Sequence, residues 1–258
     1  MAYEFDGQKY ALSSAHQTEW GTKLIAELQL KGSESVLDLG CGDGTVTAQI
    51  AELLPEGYVV GIDSSRGMID AAVPKSRENL RFLLMDINVL DFSSEFDAIF
   101  SNATLHWVKD HRRLYQTVAK ALRDDGRVRF NFAADGNCSN FFMVVREAMS
   151  TQGFSPYFSD FEWPWYMPLI DEYVVLMESS GLSDVRMWGE NADRYFADVD
   201  AMTRWIDQPS IVPFLACIPD GQKSKFRDFV VSRMIEETRQ YDGRCFETFR
   251  RINVYARK

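Results

Sequence analysis

The sequence predicts an α/β protein in which an open, mostly parallel sheet carries helices on both faces and is followed by a helix-rich elaboration. Three observations predict it. Short β-branched runs alternate with helical patterns between residues 35 and 132, glycines and prolines punctuate the joins, and the strands read as nearly continuous apolar runs. Continuous apolar strands must be buried on both faces, which in a parallel sheet is the work of crossover helices.

Ahead of the sheet, Ser13 or Ser14 can cap a helix whose stripe carries Trp20, Leu24, Ile25 and Leu28. Strands are expected at 36–39, 58–62, 80–84, 96–100 and 127–132. The helix at 45–54 stops at Pro55 and the helix at 65–73 at Pro74, because proline has no N–H for a continuing turn. A helix from Asp110 or His111 to Leu122 ends before Asp124-Asp125-Gly126, where glycine can turn left-handed. Beyond Ala134 the pattern predicts helices at 141–149, 168–179, 199–205 and 222–240, with strands at 184–188 and 252–256. The aromatic run Phe154, Tyr157, Phe158, Phe161, Trp163, Trp165 and Tyr166 is too irregular for a helix or strand face. It suits either the core of a cap over one sheet edge or the wall of an apolar pocket. No repeat or long linker interrupts the chain, so one continuous domain is expected. In it, residues 1–134 form the N-terminal helix and ligand-binding core, and 135–258 the cap and the last strands.

At 258 residues and 46% hydrophobic content the chain can bury a sizeable core. Its 28 Lys and Arg against 38 Asp and Glu leave a net charge of −10, which repels a phosphate backbone and argues against nucleic acid as partner. No stretch approaches the roughly 18 to 20 apolar residues of a membrane span, and the first residues lack a basic region followed by an apolar core. A cytosolic monomer or homodimer acting on a small molecule, without membrane contact, is the expectation. Cys41, Cys138, Cys217 and Cys245 form no CxxC pair, so neither a metal site nor a disulfide framework is expected.

The strongest motif is Val36-Leu37-Asp38-Leu39-Gly40-Cys41-Gly42-Asp43-Gly44, an apolar strand entering a glycine turn that opens a helix. Its spacing is GxGxG, not the GxGxxG of pyrophosphate sites, and it lacks the Gly-Lys-Ser/Thr end of a P-loop. A close turn without a phosphate cradle suits a nucleoside ligand. Asp63 ends the next strand, where an acid about 20 residues beyond the turn grips ribose hydroxyls. Asp86-Ile87 follows the third strand, where the acid can accept from an exocyclic amine while Ile87 packs on a base, and Asn102 ends the fourth. All four lie at strand carboxyl ends, the edge at which open α/β sheets bind ligands. Taken singly, Asp63 equally suits a helix N-cap and Asp86 an ordinary loop acid. Cys41 reads as a small filler between glycines, His111 as a solvated helix start, and Arg250-Arg251 as surface charge.

VLDLGCGDG, GIDSS, MDI and FDAIFSNATLHWV, in that order over about half the chain, resemble the four motifs of the class I S-adenosylmethionine-dependent methyltransferases. The resemblance implies a Rossmann-like seven-stranded sheet, mostly parallel with an antiparallel last strand, and S-adenosylmethionine as cofactor. It assigns the turn Gly40-Cys41-Gly42 to the methionine moiety, Asp63 to the ribose with Ser64 and Met68 beside it, and Asp86 with Ile87 to the adenine. Asp38 would act through the amino group, directly or through water, and Asn102 completes the set. GIDSSRGMIDAA, SNATLHWVKDH and INVYARK are more narrowly similar to trans-aconitate and juvenile hormone acid methyltransferases, which esterify carboxylates. In those relatives the helix ahead of the sheet closes over the cofactor, which implicates Tyr10, His16 and Gln17. Residues 137–198 match neither group's substrate-binding sequence.

Methyl transfer from sulfonium to an acceptor needs positioning and exclusion of water, and an ionised carboxylate needs no base. His106 and Trp107, just after the fourth strand, are the candidate catalytic residues: a ring N–H can hold an acceptor oxygen, and the indole can face the sulfonium or exclude water. A satisfied structural histidine and an amphipathic wall residue are the plain alternatives. For a phenol, amine or carbon acid, His106 would be the base, with His16 second. Met202, Trp205, Phe214, Arg194, Arg204 and Arg250 are further pocket candidates. After Asn102 comes Ala103-Thr104-Leu105, not the Pro-Pro-Tyr/Phe expected of a nucleobase amine methylase. A nicotinamide-dependent oxidoreductase, disfavoured by the GxGxG spacing, and a cofactor-binding module without catalysis are the rival readings.

Overall fold

The computed structural model describes residues 3–258. In chain order, α1 (Gly7–Ser13) and α2 (Ala15–Glu27) precede β1 (Ser35–Leu39), α3 (Thr45–Glu52), β2 (Tyr58–Asp63), α4 (Arg66–Ala72) and β3 (Leu80–Leu84). Then come β4 (Phe96–Asn102), α5 (His111–Ala121), β5 (Leu122–Ala133), α6 (Ser139–Ser150), α7 (Ile170–Glu178) and β6 (Ser183–Asn191). The chain closes with β7 (Arg194–Phe196), α8 (Val199–Trp205), α9 (Val212–Leu215), α10 (Asp220–Thr238), β8 (Cys245–Glu247) and β9 (Arg250–Arg257).

These elements form two compact units. The first takes in the chain up to Asp135 together with Trp165–Glu190 and Arg251–Lys258; the second consists of Gly136–Pro164 and Asn191–Arg250. The first unit holds a seven-stranded sheet in the order β3-β2-β1-β4-β5-β9-β6. All pairs from β3 to β5 are parallel, and β9 runs antiparallel to β5. The seven expected strands are all present, and the order reverses at β1, so a crevice opens beyond its carboxyl end.

Successive side chains of a strand point to opposite faces, so β1 sends Val36 to one core with Leu24 of α2, Leu28 just past its end, and Ile50 of α3. Leu37 and Leu39 go to the other, with Leu114 and Val118 of α5 and Tyr173 of α7. Each such aliphatic side chain contributes roughly 1.5–3 kcal/mol by leaving water. One stretch departs from this scheme. On the face of β5 and β9 turned away from Phe130, Phe132, Ile252 and Val254, the buried polar and charged residues are Arg129, Asn131, Arg251 and Asn253.

Local chemistry corrects three expectations. The single N-terminal helix is two, because the Asp6 carboxylate accepts from the amides of Gln8 and Lys9 and starts α1, whereas Ser14 stands before α2 without a side-chain cap. The left-handed residue is Asp125 at φ +64°, not Gly126, and it lies inside β5, which begins directly at Leu122. His111 is 2% exposed rather than solvated, with Nδ1 at 2.5 Å from the Tyr173 hydroxyl and Nε2 at 2.9 Å from the Leu105 carbonyl.

In the second unit the aromatic run proves to be largely core: Phe154 and Phe158 pack on Phe226, while Phe161 and Trp163 pack on Phe214. Met202, Trp205 and Phe214 are buried in that unit, Arg204 is exposed, and Arg250 pairs with Asp193. The end of the run, Trp165 and Tyr166, belongs to the first unit.

Candidate active site

The turn after β1 is tied to the end of β2, since the amides of Gly40 and Cys41 both donate to the Ile62 carbonyl at 2.9 Å. Gly40, Gly42 and Gly44 all have positive φ. Two of them are also tightly packed: a Cβ on Gly40 would stand 2.0 Å from Thr104 Cγ2, and one on Gly44 2.6 Å from Phe82 Cζ. Gly42 differs. Its Cβ would meet only the Tyr10 ring, at 3.7 Å, so its backbone faces a gap that a side chain would fill. Cys41 is buried beside it, and burial pushes its thiol well above the ordinary value, consistent with a filler and not a nucleophile.

Three acids were expected here. Asp63 accepts from the amides of Gly42 at 3.0 Å and Ser65 at 2.9 Å, which fixes the carboxylate against the glycine turn. Burial raises its pKa against the pull of those bonds. Asp38 is 2% exposed and accepts from the Thr47 hydroxyl at 2.7 Å; burial pushes its carboxyl up to about 7. Asp86 is exposed and accepts from the Asn88 amide at 2.8 Å, the loop-capping geometry, while Ile87 is buried with Leu39 and Ile62. Ser64 is exposed, and Met68 is buried with its amide capped by the Ser65 hydroxyl.

The segment ahead of the sheet covers this edge. Glu4 accepts from the Gly67 amide at 2.6 Å and from the Ser65 hydroxyl at 2.9 Å, and Phe5 donates its amide to the same hydroxyl. The Tyr10 phenol is pushed up by burial and by the charges of Asp43 and Asp63, and drawn down by Arg251. Asn102 Nδ2 donates to the Gln17 carbonyl at 2.7 Å. That leaves Asn102 Oδ1 and Gln17 Oε1 buried without partners. Buried orphan acceptors are costly, and these two belong to residues joined between α2 and the end of β4. They fit a ligand that brings a strong donor, as the ammonium group of S-adenosylmethionine does. The His16 side chain lies outside the described residues.

His106 and Trp107 lie in a 3-10 turn, Leu105–Trp107, after β4. Thr104 ties this turn to the glycine turn by donating its hydroxyl to the Gly40 carbonyl at 3.1 Å. The Tyr166 amide donates to the His106 carbonyl at 2.8 Å. The Trp107 indole packs against Tyr3, Phe5 and Trp165 with ring centroids 5.1–5.7 Å apart. The His106 imidazole is held well below its ordinary pKa by burial, then by the charges of Arg251 and His111. Its Nδ1 stands 3.5 Å from the Ala133 amide.

Arg251 is the residue sequence reasoning missed. It is 3% exposed, not a surface charge, because the alternation of β9 turns it with Asn253 toward α2, where the Trp20 indole lies 4.6 Å below the guanidinium. The usable signal was the spacing Arg251-x-Asn253 within an otherwise apolar last strand. Glu4, Tyr3 and Phe5 carried no motif at all. Among the described residues no group of His, Cys, Asp and Glu could hold a metal ion, and no helix is long and apolar enough to cross a membrane.

A family model described as a methyltransferase domain matches residues 36–126. Trans-aconitate 2-methyltransferase of Deinococcus radiodurans is 29% identical over 227 residues, covering 86% of this chain and 85% of the relative. The protein of the same name from Enterobacter sp. (strain 638) is 24% identical over 253 residues, covering 96% of each. The crystal structure of YcgJ from Bacillus subtilis superposes with a TM-score of 0.63 at 17% identity, covering 94% of this chain and 98% of that one. With the sheet order and the glycine turn between β1 and α3, these matches identify the chain as a class I S-adenosylmethionine-dependent methyltransferase similar to the trans-aconitate methyltransferases.

Proposed function

We propose that the enzyme methylates a carboxylate oxygen of a small-molecule acid. The observation that carries this reading is the Ala133 amide set 3.5 Å from His106 Nδ1. The Ala133 amide points at Nδ1, which makes that nitrogen an acceptor, and the depressed pKa keeps the ring neutral. A neutral imidazole whose Nδ1 accepts carries its proton on Nε2. The ring therefore offers a donor, not a base, to a ligand on its Nε2 side. An acceptor that must first lose a proton finds no base there, whereas a carboxylate with pKa about 4 arrives ionised. The name shared by the similar proteins, trans-aconitate 2-methyltransferase, supports the same reading.

In this reading Gly40, Cys41 and Gly42 receive the methionine part of the cofactor along their backbone. Gln17 and Asn102 would accept from its ammonium, Asp38 would act through the same group directly or through water, and Tyr10 would close over it. Asp63 takes the ribose with Ser64 and Met68 alongside, and Asp86 and Ile87 hold the adenine. When bound, the cofactor supplies an electrophilic methyl group on sulfur. His106 Nε2–H would fix the acceptor's carboxylate, which would take up the methyl group without first losing a proton. Trp107, walled by Tyr3, Phe5 and Trp165, keeps water away from the reacting atoms. Such positioning is worth roughly 7–11 kcal/mol at its best.

Assays of acids, amines and phenols with S-adenosylmethionine test the proposal. Activity toward an acid is expected, and with S-adenosylmethionine saturating, so that the titration of Asp38 in the free enzyme does not enter, at a rate flat above about pH 6 because neither the carboxylate nor His106 changes charge there. Turnover of amines or phenols alone, rising steeply through the histidine range, would overturn it.

A further inference from the structure

We propose that the outer edge of β6 is a homodimer interface, at which two copies of this chain join their sheets antiparallel about a two-fold axis through Trp188, whatever acceptor the enzyme takes. β6 ends the sheet order, so the row of backbone N–H and C=O groups on its far side has no strand of its own chain to bond. Of its residues only Met187 is half-buried, and the rest are exposed. Sheets defend such an edge with a very short strand, a proline or a lysine. β3, the edge at the opposite end, has five residues, whereas β6 has nine and neither proline nor lysine. It also shows Trp188 at 40% exposure and Val185 at 38%, on opposite faces of the sheet. Beside it, α7 brings Ile170 Cδ1 to 3.5 Å from where a Cβ on Gly189 would stand, and exposes Val174 and Val175. An exposed tryptophan on an open edge flanked by aliphatic side chains is the composition of an interface centre.

The charges of β6 make a second copy the occupant and fix its register. A two-fold axis normal to the sheet keeps every side chain on its own face, so it must pass through a residue. With Trp188 on the axis the two indoles meet, and Arg186 of each copy stands opposite Glu190 of the other, which makes two opposite-charge pairs on one face. Within one chain these two cannot reach each other, since four residues along a strand span about 13 Å. Both are already steadied on that face: the Arg186 guanidinium lies 4.7 Å over the Tyr255 ring, and Glu190 accepts from Asn253 Nδ2 at 3.1 Å. Neighbouring registers are disfavoured. An axis through Arg186 or Glu190 sets that charge against itself, one through Met187 sets Asp184 against Glu190, and one through Gly189 pairs no charges. One through Val185 would pair Asp184 with Arg186, but Asp184 is at φ +48°, outside the extended conformation a ladder needs. The backbone ladder thus supplies affinity, and the alternating charges select one alignment out of several.

Sedimentation of the full chain over a range of concentrations tests this, with S-adenosylhomocysteine binding as the check that each variant is folded. The wild type is expected to be a dimer at about 100 μM, dissociating in the micromolar range. R186E or E190R turns both pairs into like-charge pairs and should weaken the dimer on the order of 30-fold, with S-adenosylhomocysteine affinity unchanged. The double variant R186E/E190R exchanges the charges across the axis and should recover the wild-type dissociation constant to within about threefold. Hydrogen exchange of the wild type, which needs no substitution, should show amides of β6 gaining protection as concentration rises. A wild type that stays monomeric at about 100 μM overturns the proposal. A dimer that survives both single variants lies on another face and overturns it too, as does a double variant left as weak as the single ones. Should a single variant fail to bind S-adenosylhomocysteine, the exchange experiment decides, and concentration-dependent protection that spares β6 overturns the proposal.

Discussion

Asn102 donates its side-chain amide to the backbone carbonyl of Gln17 at 2.7 Å, yet the side-chain oxygens of both residues are buried without a partner. The link joins α2 to the end of β4 and leaves two buried side-chain acceptors without a hydrogen bond. In the free enzyme they cost stability; with a donor in place the cost is recovered as affinity.

Gln17→Met removes one of these acceptors at nearly constant volume. S-adenosylhomocysteine should bind about 5- to 10-fold more weakly, the value of roughly one hydrogen bond, while the free protein unfolds at the same or a higher urea concentration. Calorimetric titration and urea unfolding measure the two. A loss of stability with unchanged affinity would mean that Gln17 is merely structural.

Asp38 gives the free enzyme a characteristic pH dependence. Its folded pKa of about 7 lies above the ordinary value of 3.8, so the folded state binds a proton that the unfolded state has released. The contribution is complete below the unfolded pKa and is lost as pH rises from about 4 through 7, at about 1.4 kcal/mol for each pH unit between them. Asp38→Asn, still able to accept from Thr47, should remove this loss, so wild type and variant diverge between pH 4 and 8 in urea unfolding. Parallel curves would contradict it.

Tyr173 anchors the Leu105–Trp107 turn from behind through His111. The Leu105 carbonyl can only accept, so His111 donates Nε2–H to it; the neutral ring, its pKa lowered to about 4 chiefly by burial, then accepts at Nδ1 from the Tyr173 hydroxyl. The Tyr173 hydroxyl also lies within hydrogen-bond distance of that of Tyr115, at 2.9 Å. Tyr173→Phe strands His111 Nδ1 and the Tyr115 hydroxyl, and should destabilise the fold by about 1–3 kcal/mol. Because the turn carries His106 and Trp107, kcat should fall while S-adenosylhomocysteine affinity holds. Stopped-assay kinetics beside a binding titration separate the two effects.

The parts of the site written in contiguous residues were readable. Gly40 and Gly42 carry the left-handed turn, Asp63 sits at the end of β2 against that turn, and His106 and Trp107 follow β4, since strand ends and glycine turns are local properties of the chain. Asp86 was legible as a position, although its observed bonds are those of a loop cap. Glu4 and Arg251 were not legible. Glu4 reaches Ser65 and Gly67, and Arg251 meets Trp20, across separations at which no periodicity or propensity connects them.

Apolar continuity and turn chemistry, acting within a few residues, determined the seven strands, the crossover helices and the glycine turn. Tertiary structure alone decided which charges are buried and which way they face. Whether an arginine near the chain end solvates or enters the sheet depends on what packs over it, and here the Trp20 indole and the Asn131 side-chain oxygen make burial of Arg251 tolerable. The same holds for His106: the sequence sets it after β4, but desolvation and the charges of Arg251 and His111 together hold its imidazole well below the ordinary pKa. Electrostatic character depends on the surrounding dielectric and on charges brought close by folding, and neither is written in any local stretch of the chain.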